Sequence, residues 1–199
     1  TYEHLLDNLL RTKTHTRSQE VEEVLAGSAL LRGAPSQAYN FLTNADIKWP
    51  TITGKDGEDE QIVESLYYTY LADQDREYRK NAALAIFGTY DQYANTYSAT
   101  YGGLLQKDVW ISTTRNYPST LDMELNQTNV PSSVIETLVG AVHDNADVMH
   151  SYVELRNKVL ELDKTHIYDL YVSLVPGGET TYTFDEGWAL AMEFWKETF

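Results

Sequence analysis

Residues 75–110 read DREYRKNAALAIFGTYDQYANTYSATYGGLLQKDVW, and this stretch decides the fold. Within it Leu84, Phe87, Tyr90, Tyr93, Ala94, Tyr97 and Tyr101 recur at intervals of three and four, the spacing at which side chains share one helix face. The spacing predicts a long helix that buries this stripe. Asp73 closes the helix before it, and Asp75 stands at its start, where a carboxylate accepts bonds from the unpaired first N–H groups. Gly102-Gly103 marks a place for the helix to kink, and Asn116-Tyr117-Pro118 closes the next segment.

Working outward, Leu5, Leu6, Leu9 and Leu10, then Val21, Val24 and Leu25, read as two amphipathic helices. Gly33-Ala34-Pro35-Ser36 breaks the pattern and starts a further helix through Tyr39, Phe41 and Leu42. Ile47, Trp49 and Ile52 alternate, and Gly54-Lys55-Asp56-Gly57 turns the chain toward Gln61-Ile62-Val63, which predicts a small hairpin within residues 46–63. Helical spacing returns at Val63, Leu66, Tyr67, Tyr70 and Leu71. Pro131 suits the first position of another helix, carried by Val134, Leu138, Val142, Met149, Tyr152, Val153, Val159 and Leu160 toward Leu162. Residues 168–175, aromatic and β-branched, read as a short strand closed by a turn at Pro176-Gly177-Gly178. A last amphipathic segment runs from Phe184 to Phe199. The expectation is a mainly α chain: a multi-helix lobe over residues 1–165 with one small β-hairpin, then a second segment over 166–199 that opens with the strand.

Thirty acidic against fifteen basic side chains give a formal charge of −15 over 199 residues, which repels phosphate backbones and anionic membrane surfaces. Nucleic acid and membrane are therefore excluded as expected partners, and no apolar run approaches the roughly 20 residues a spanning helix needs. The absence of cysteine removes thiol chemistry and fits a reducing compartment, so the expected location is the cytoplasm. Thr1 is not an initiator Met and no leader pattern follows it, so the sequence reads as a processed product or a fragment.

Five histidines are present, yet no two stand four apart and none precedes a Glu, so the helical zinc motif with its two imidazoles and catalytic carboxylate is missing. Glycine-rich phosphate loops, the nucleophile elbow and the calcium loop are missing too. His143, Asp147 and His150 stand at i, i+4 and i+7, a line of ligand types at the solvent boundary that reads as the polar flank of an amphipathic helix. Arg156 projects onto the apolar face between Val153 and Leu160, where a buried cation needs a partner. Asp169 is the expected one, with Glu154 the other choice, in a structural ion pair. The Tyr90, Tyr93, Tyr97, Tyr101 row suits either a core stripe or the wall of a peptide cleft.

Three blocks carry a family resemblance: the opening stretch, then TRNYPSTLDMELNQTNVP at 114–131, then HSYVELRNKVLELDKTHIYDLYVSLV at 150–175. In this order they resemble the N-terminal half of oligoendopeptidase F, and the stretches around Gln19–Asn44 and before Gln61 fit the same pattern. Glu161 stands where a glycine is more usual, and Ser173 where the family often has Pro. The resemblance implies a mostly helical, two-lobed zinc endopeptidase that cleaves short peptides in a channel between lobes. Its zinc ligands, on a HExxH helix plus a downstream Glu, match no position here, so no catalytic or metal residue is carried over. It further implies that residues 1–165 form channel wall, that 166–199 lead toward a missing catalytic lobe, and that Tyr97, Tyr101, Tyr168 and Tyr171 are candidates to face an oligopeptide substrate. Zinc is expected in the parent enzyme and none on this chain, which is expected to be inactive alone. The alternative is a complete non-enzymatic helical module, derived from the peptidase lobe, that binds peptides or a partner protein.

Overall fold

A computed structural model describes residues 2–175, 177 and 182–198. Helices α1 (Glu3–Lys13), α2 (Gln19–Gly27) and α3 (Ala29–Phe41) open the chain, and one π-turn, Leu42–Asp46, follows α3 without a break. The break expected at Gly33-Ala34-Pro35-Ser36 is absent, because α3 starts earlier and runs through Pro35. The ring denies Leu31 its i+4 donor, and Leu31 is exposed, so its carbonyl is not left in a dry interior.

The hairpin forms around the expected turn, with shorter strands than read: Ile47, Trp49, Ile62 and Val63 lie outside them. Strands β1 (Thr51–Thr53) and β2 (Asp59–Gln61) pair antiparallel with Ile52 opposite Glu60, and Gly57 supplies the positive φ of 84° that the turn between them requires. A 3-10 turn at Glu64–Leu66 leads into α4 (Tyr67–Leu71). Asp75 then caps α5 (Arg76–Gln92), its carboxylate accepting from the N–H groups of Glu77 and Tyr78 at 2.9 and 3.2 Å. The hairpin is fastened to this helix: the Tyr78 hydroxyl donates to both Glu60 oxygens, and burial together with that bond pushes the phenol pKa far up.

The long helix expected from Asp75 divides at Tyr93, whose φ of −108° and ψ of 13° leave the helical region. Its N–H turns back to Tyr90, and α6 (Ala94–Thr114) restarts at the next residue and passes Gly102-Gly103 unbroken. Gly103 serves packing rather than bending, since a Cβ there would lie 2.8 Å from Pro35 Cγ on α3. The expected stripe is also not the buried one. Leu84, Phe87 and Tyr101 are exposed, whereas α5 buries Tyr78, Arg79, Ala82, Ala83, Ile86 and Thr89. Small residues at 82 and 83 admit close neighbours, and Tyr78, Ala82 and Ile86 form the core with Ile62 and Tyr70, flanked by Trp49, Ile52, Tyr67 and Tyr90.

After α7 (Thr120–Thr128), the helix expected from Pro131 also divides. Pro131 caps α8 (Ser132–Asp144) with extended backbone, and α9 (Ala146–Val159) starts beyond Asn145, whose carboxamide donates to the Ala141 carbonyl at 2.7 Å. That bond takes an acceptor the backbone would otherwise use, as short polar side chains do at helix breaks. The strand expected at 168–175 is replaced by a 3-10 turn, Ile167–Asp169, followed by irregular chain. Pro176 and Gly178 of the expected turn lie outside the described residues. Helix α10 (Phe184–Thr198) ends the chain's described part, and Phe199 lies outside it.

The surface is large for the mass. A compact 22.7 kDa chain exposes about 9,500 Å², whereas this one exposes 14887 Å². Much of the excess is apolar: Leu138 and Val142 on α8, Met149 and Leu155 on α9, and Trp188, Phe194 and Trp195 on α10 are all more than half exposed.

Two substitution tests follow from the backbone. Helix α9 closes with the Leu162 N–H bonded to the Asn157 carbonyl at 2.8 Å, which puts Glu161 at the left-handed closing position with φ 53°. That is the residue singled out above as standing where glycine is usual. Glu161→Gly should raise stability by about 1 kcal/mol by removing the Cβ strain, read from the urea midpoint. Gly102→Ala, into open space, should add up to about 1 kcal/mol of helix propensity, whereas Gly103→Ala should lose about 1–3 kcal/mol to overpacking against Pro35. Equal effects at the two glycines would contradict the close approach of α3 and α6.

Candidate functional site

Tyr168 and Tyr171 sit on a short loop that three arginines hold in place. Asp169, with no exposed surface, accepts at Oδ1 from Arg76 Nε at 3.0 Å and Arg79 Nη2 at 2.9 Å, and at Oδ2 from Arg76 Nη2 at 3.0 Å. The His166 N–H adds a fourth bond at 3.0 Å. Burial alone would raise the Asp169 pKa, but the bonds from Arg76, His166 and Arg79 outweigh it and hold the carboxyl below its ordinary value. Arg79 also donates to the carbonyls of Tyr168, Asp73 and Gln74, so its buried guanidinium is bonded on every nitrogen.

The ion pair expected between Arg156 and Asp169 takes another form. Arg156, 3% exposed, donates to the backbone carbonyls of Asp169 at 2.7 Å and Val172 at 2.6 Å, and to the Tyr152 hydroxyl at 3.1 Å. The carboxylate belongs to Arg76 and Arg79, two residues three apart on α5 that sequence reasoning missed. Their spacing places them on one face, yet nothing in the sequence links them to a carboxylate some ninety positions away. The same bonds explain the missing strand, because the carbonyls of Tyr168, Asp169 and Val172 are spent on guanidinium groups rather than offered to a neighbouring strand.

The four tyrosines fall into two clusters. Tyr171 meets Tyr68 edge-on at 4.9 Å, and Tyr68 continues through Tyr67 to Phe87. Tyr168 stacks on His166 at 5.0 Å with the Arg76 guanidinium 5.6 Å from its ring centre. In the other cluster Tyr97 meets Tyr39 of α3 edge-on at 5.7 Å and Tyr90 at 5.5 Å, and Tyr90 meets Trp49. Burial and nearby Glu64 push the Tyr90 phenol up to about 12. The π-turn brings Thr43 Oγ1 within 3.1 Å of the Tyr97 hydroxyl, fixing that ring at the head of a groove of about 250 Å³ lined also by Tyr39, Thr100, Tyr101 and Leu104. Among the described residues no ring contact joins Tyr97 or Tyr101 to Tyr168 or Tyr171. The row is not a uniform core stripe: Tyr90, Tyr93 and Tyr97 are half-buried while Tyr101 is exposed.

Among the described residues no group of three His, Cys, Asp or Glu is placed to hold a metal ion. The break at Asn145 puts His143 on a different helix from Asp147 and His150, which face water 3.7 Å apart. A zinc ion has no ligand set among these residues. Among the same residues no helix is long and apolar enough to cross a membrane.

Comparison with known proteins identifies the class to which this mainly helical chain belongs. The family model described as peptidase family M3 matches residues 69–187, and one described as oligopeptidase F matches residues 1–49. The chain belongs to peptidase family M3. It is 35% identical over 185 residues to oligopeptidase PepF of Bacillus subtilis, covering 93% of this chain and 28% of that protein. Against group B oligopeptidase PepB of Streptococcus agalactiae it is 31% identical, covering 93% and 31%. The crystal structure of oligoendopeptidase-F from Enterococcus faecium superposes with a TM-score of 0.85 at 33% identity, covering 90% of this chain and 34% of that one. The chain therefore spans about a third of the length of the relatives it matches.

Asp169→Asn should cost about 3–5 kcal/mol, because it leaves two guanidinium groups facing a neutral amide. The depressed native pKa means the contribution is complete above the unfolded carboxyl value, about 3.9, and is lost as pH falls through the folded value. Urea midpoints between pH 7 and pH 2 should fall more steeply for the parent chain than for the variant, and parallel curves would contradict the pairing.

Proposed function

We propose that this chain is the helical, channel-lining part of a zinc-dependent oligoendopeptidase, with the hydrolytic centre carried by sequence outside it. The observation that carries the reading is the exposed apolar surface: total exposure stands some 5,000 Å² above that of a compact chain of this mass, and Leu138 and Val142 on α8 and Met149 and Leu155 on α9 are more than half exposed. Three further facts support it. Relatives of about three times its length are named oligopeptidases, the described residues assemble no ligand set for zinc, and the sequence has no HExxH.

In this reading residues 1–165 form wall, residues 166–199 lead toward the catalytic lobe, and the arginine-held loop fixes the angle between them. Tyr97 and Tyr101 at one groove, and Tyr168 and Tyr171 on the loop, offer flat apolar area with hydroxyl tips to a passing oligopeptide. Zinc in the parent would polarise the scissile carbonyl and activate water, and no residue here takes part in that step. The lack of cysteine supports a cytoplasmic setting.

Purified, zinc-supplied chain should show no chelator-sensitive cleavage of an internally quenched peptide, and co-expression with the remaining two thirds of its reading frame should restore cleavage. Chelator-sensitive hydrolysis by the 199 residues alone would overturn the reading. A reading frame with no further coding sequence would instead favour the non-enzymatic binding module.

A further inference from the structure

A second cavity, of about 450 Å³, opens where the turn after α1 meets the connections from α6 through α7 to α8. Its volume lies within the roughly 300–1,000 Å³ typical of small-molecule pockets. The walls are held from several directions. The His15 ring stacks on Tyr117 with centres 3.5 Å apart and planes 12° from parallel. Arg115 at the end of α6 donates to the His15 carbonyl at 3.2 Å and pairs with both oxygens of Glu22 on α2 at 2.9 Å each. Asn116 and Asn129 take the left-handed backbone that closes α6 and α7, with φ 58° and 56°.

What the cavity offers is a mixed set of unused donors and acceptors. A carbonyl can only accept, so His15 Nδ1, 3.1 Å from the Arg115 oxygen, donates to it, and in that tautomer Nε2 is the acceptor. Asn126 accepts from the Tyr117 hydroxyl at Oδ1, which leaves its NH₂ group unused. The Asn129 carboxamide and the Ser132 hydroxyl have no hydrogen-bond partner among the described residues, although both line the space. Leu125, Val130 and the two prolines at 118 and 131 provide the apolar remainder.

Charge narrows the occupant. An anion would meet the Asp122 carboxylate at the rim of a chain carrying −15 overall. A cation would meet Arg115 and Arg11, whose charges partly offset the rise that burial gives the Tyr117 phenol. A neutral group that both donates and accepts satisfies both sides, and the backbone amide of a peptide is that group. We propose that this cavity binds a peptide segment through one backbone amide, its carbonyl facing the Asn126, Asn129 and Ser132 donors and its N–H the His15 side, with an apolar side chain against the His15–Tyr117 stack. The proposal rests on the oligopeptide reading above and adds to it a second contact point, which shares no lining residue with the Tyr97 groove.

The test is a titration of the isotope-labelled 199-residue chain with acetyl-Ala-Leu-Ala-amide, following the side-chain amide resonances of Asn126 and Asn129 by NMR. Saturable shifts at these groups are expected, with sodium acetate at equal concentration moving neither. Asn129→Gly, which keeps the left-handed backbone and removes the carboxamide, should weaken the peptide about fivefold, the equivalent of one hydrogen bond. Ser132→Val serves as an independent second variant with the same expected direction, and unchanged thermal unfolding certifies both folds. Unchanged affinity in both variants overturns the proposal, and so does displacement of the same resonances by acetate. Peptide shifts confined to the Tyr97 and Tyr101 groove overturn it while leaving the channel-wall reading intact. No saturable binding anywhere overturns both.

Discussion

Asp169 is an ionised group with no water to solvate it, and much of the fold is arranged around meeting that requirement. Taking a carboxylate out of water costs several kcal/mol, and the chain offsets this with two guanidinium groups from α5 and one N–H from its own turn. Those guanidiniums must then be met in turn, so Arg79 reaches the carbonyls before α5 and Arg156 reaches the carbonyls around Asp169. The result ties α5, α9 and the loop at 166–172 into one unit. Removing any member leaves a buried charge or carbonyl without its partner, which is why the unit specifies a single geometry rather than a family of similar ones.

Aromatic contacts extend that unit in two directions. One runs from the loop through Tyr171, Tyr68 and Tyr67 to Phe87, and the other from Trp49 through Tyr90 and Tyr97 to Tyr39. Each ring pair adds about 0.5–1.5 kcal/mol beyond its buried area, and the hydroxyls let these rings border water without penalty. That property suits rings that stand half in the core and half in solvent. It also accounts for how a chain with so much exposed apolar area keeps a defined core around Ile62, Tyr78 and Ile86.

The π-turn after α3 and the break at Tyr93 illustrate how local irregularity builds a site. One extra residue in the turn rotates Thr43 toward Tyr97, and the restart of the helix at Ala94 sends Tyr97 and Tyr101 along a different line from Tyr90. A regular helix from 75 to 114 would have kept these rings on one stripe. Because π-turns and bridge-region residues are costly on their own, they persist where surrounding contacts fix them, as Tyr39 and Thr43 do here.

Helix periodicity, the hairpin, the Asp75 cap and the family blocks were legible in the sequence, because each depends on residues near one another in the chain. The line at 143, 147 and 150 was read on one helix, but the break at Asn145 puts His143 on α8 and the other two on α9. Other features were not legible. The stripe from Leu84 to Tyr101 was read as core, but which of two apolar faces is covered depends on what packs there, and Ala82 and Ala83 won by allowing closer approach. Residues 168–175 have the composition of a strand, yet strand formation needs a free partner edge, and the arginines had claimed those carbonyls. Local sequence thus determined the helical class, the hairpin turn and the Asp75 cap, but not where α3 begins or where the long segments divide at Tyr93 and Asn145. Tertiary structure alone decided that Arg76 and Arg79 meet Asp169 and which aromatic face stays open, since both depend on groups distant in the chain that folding brings together.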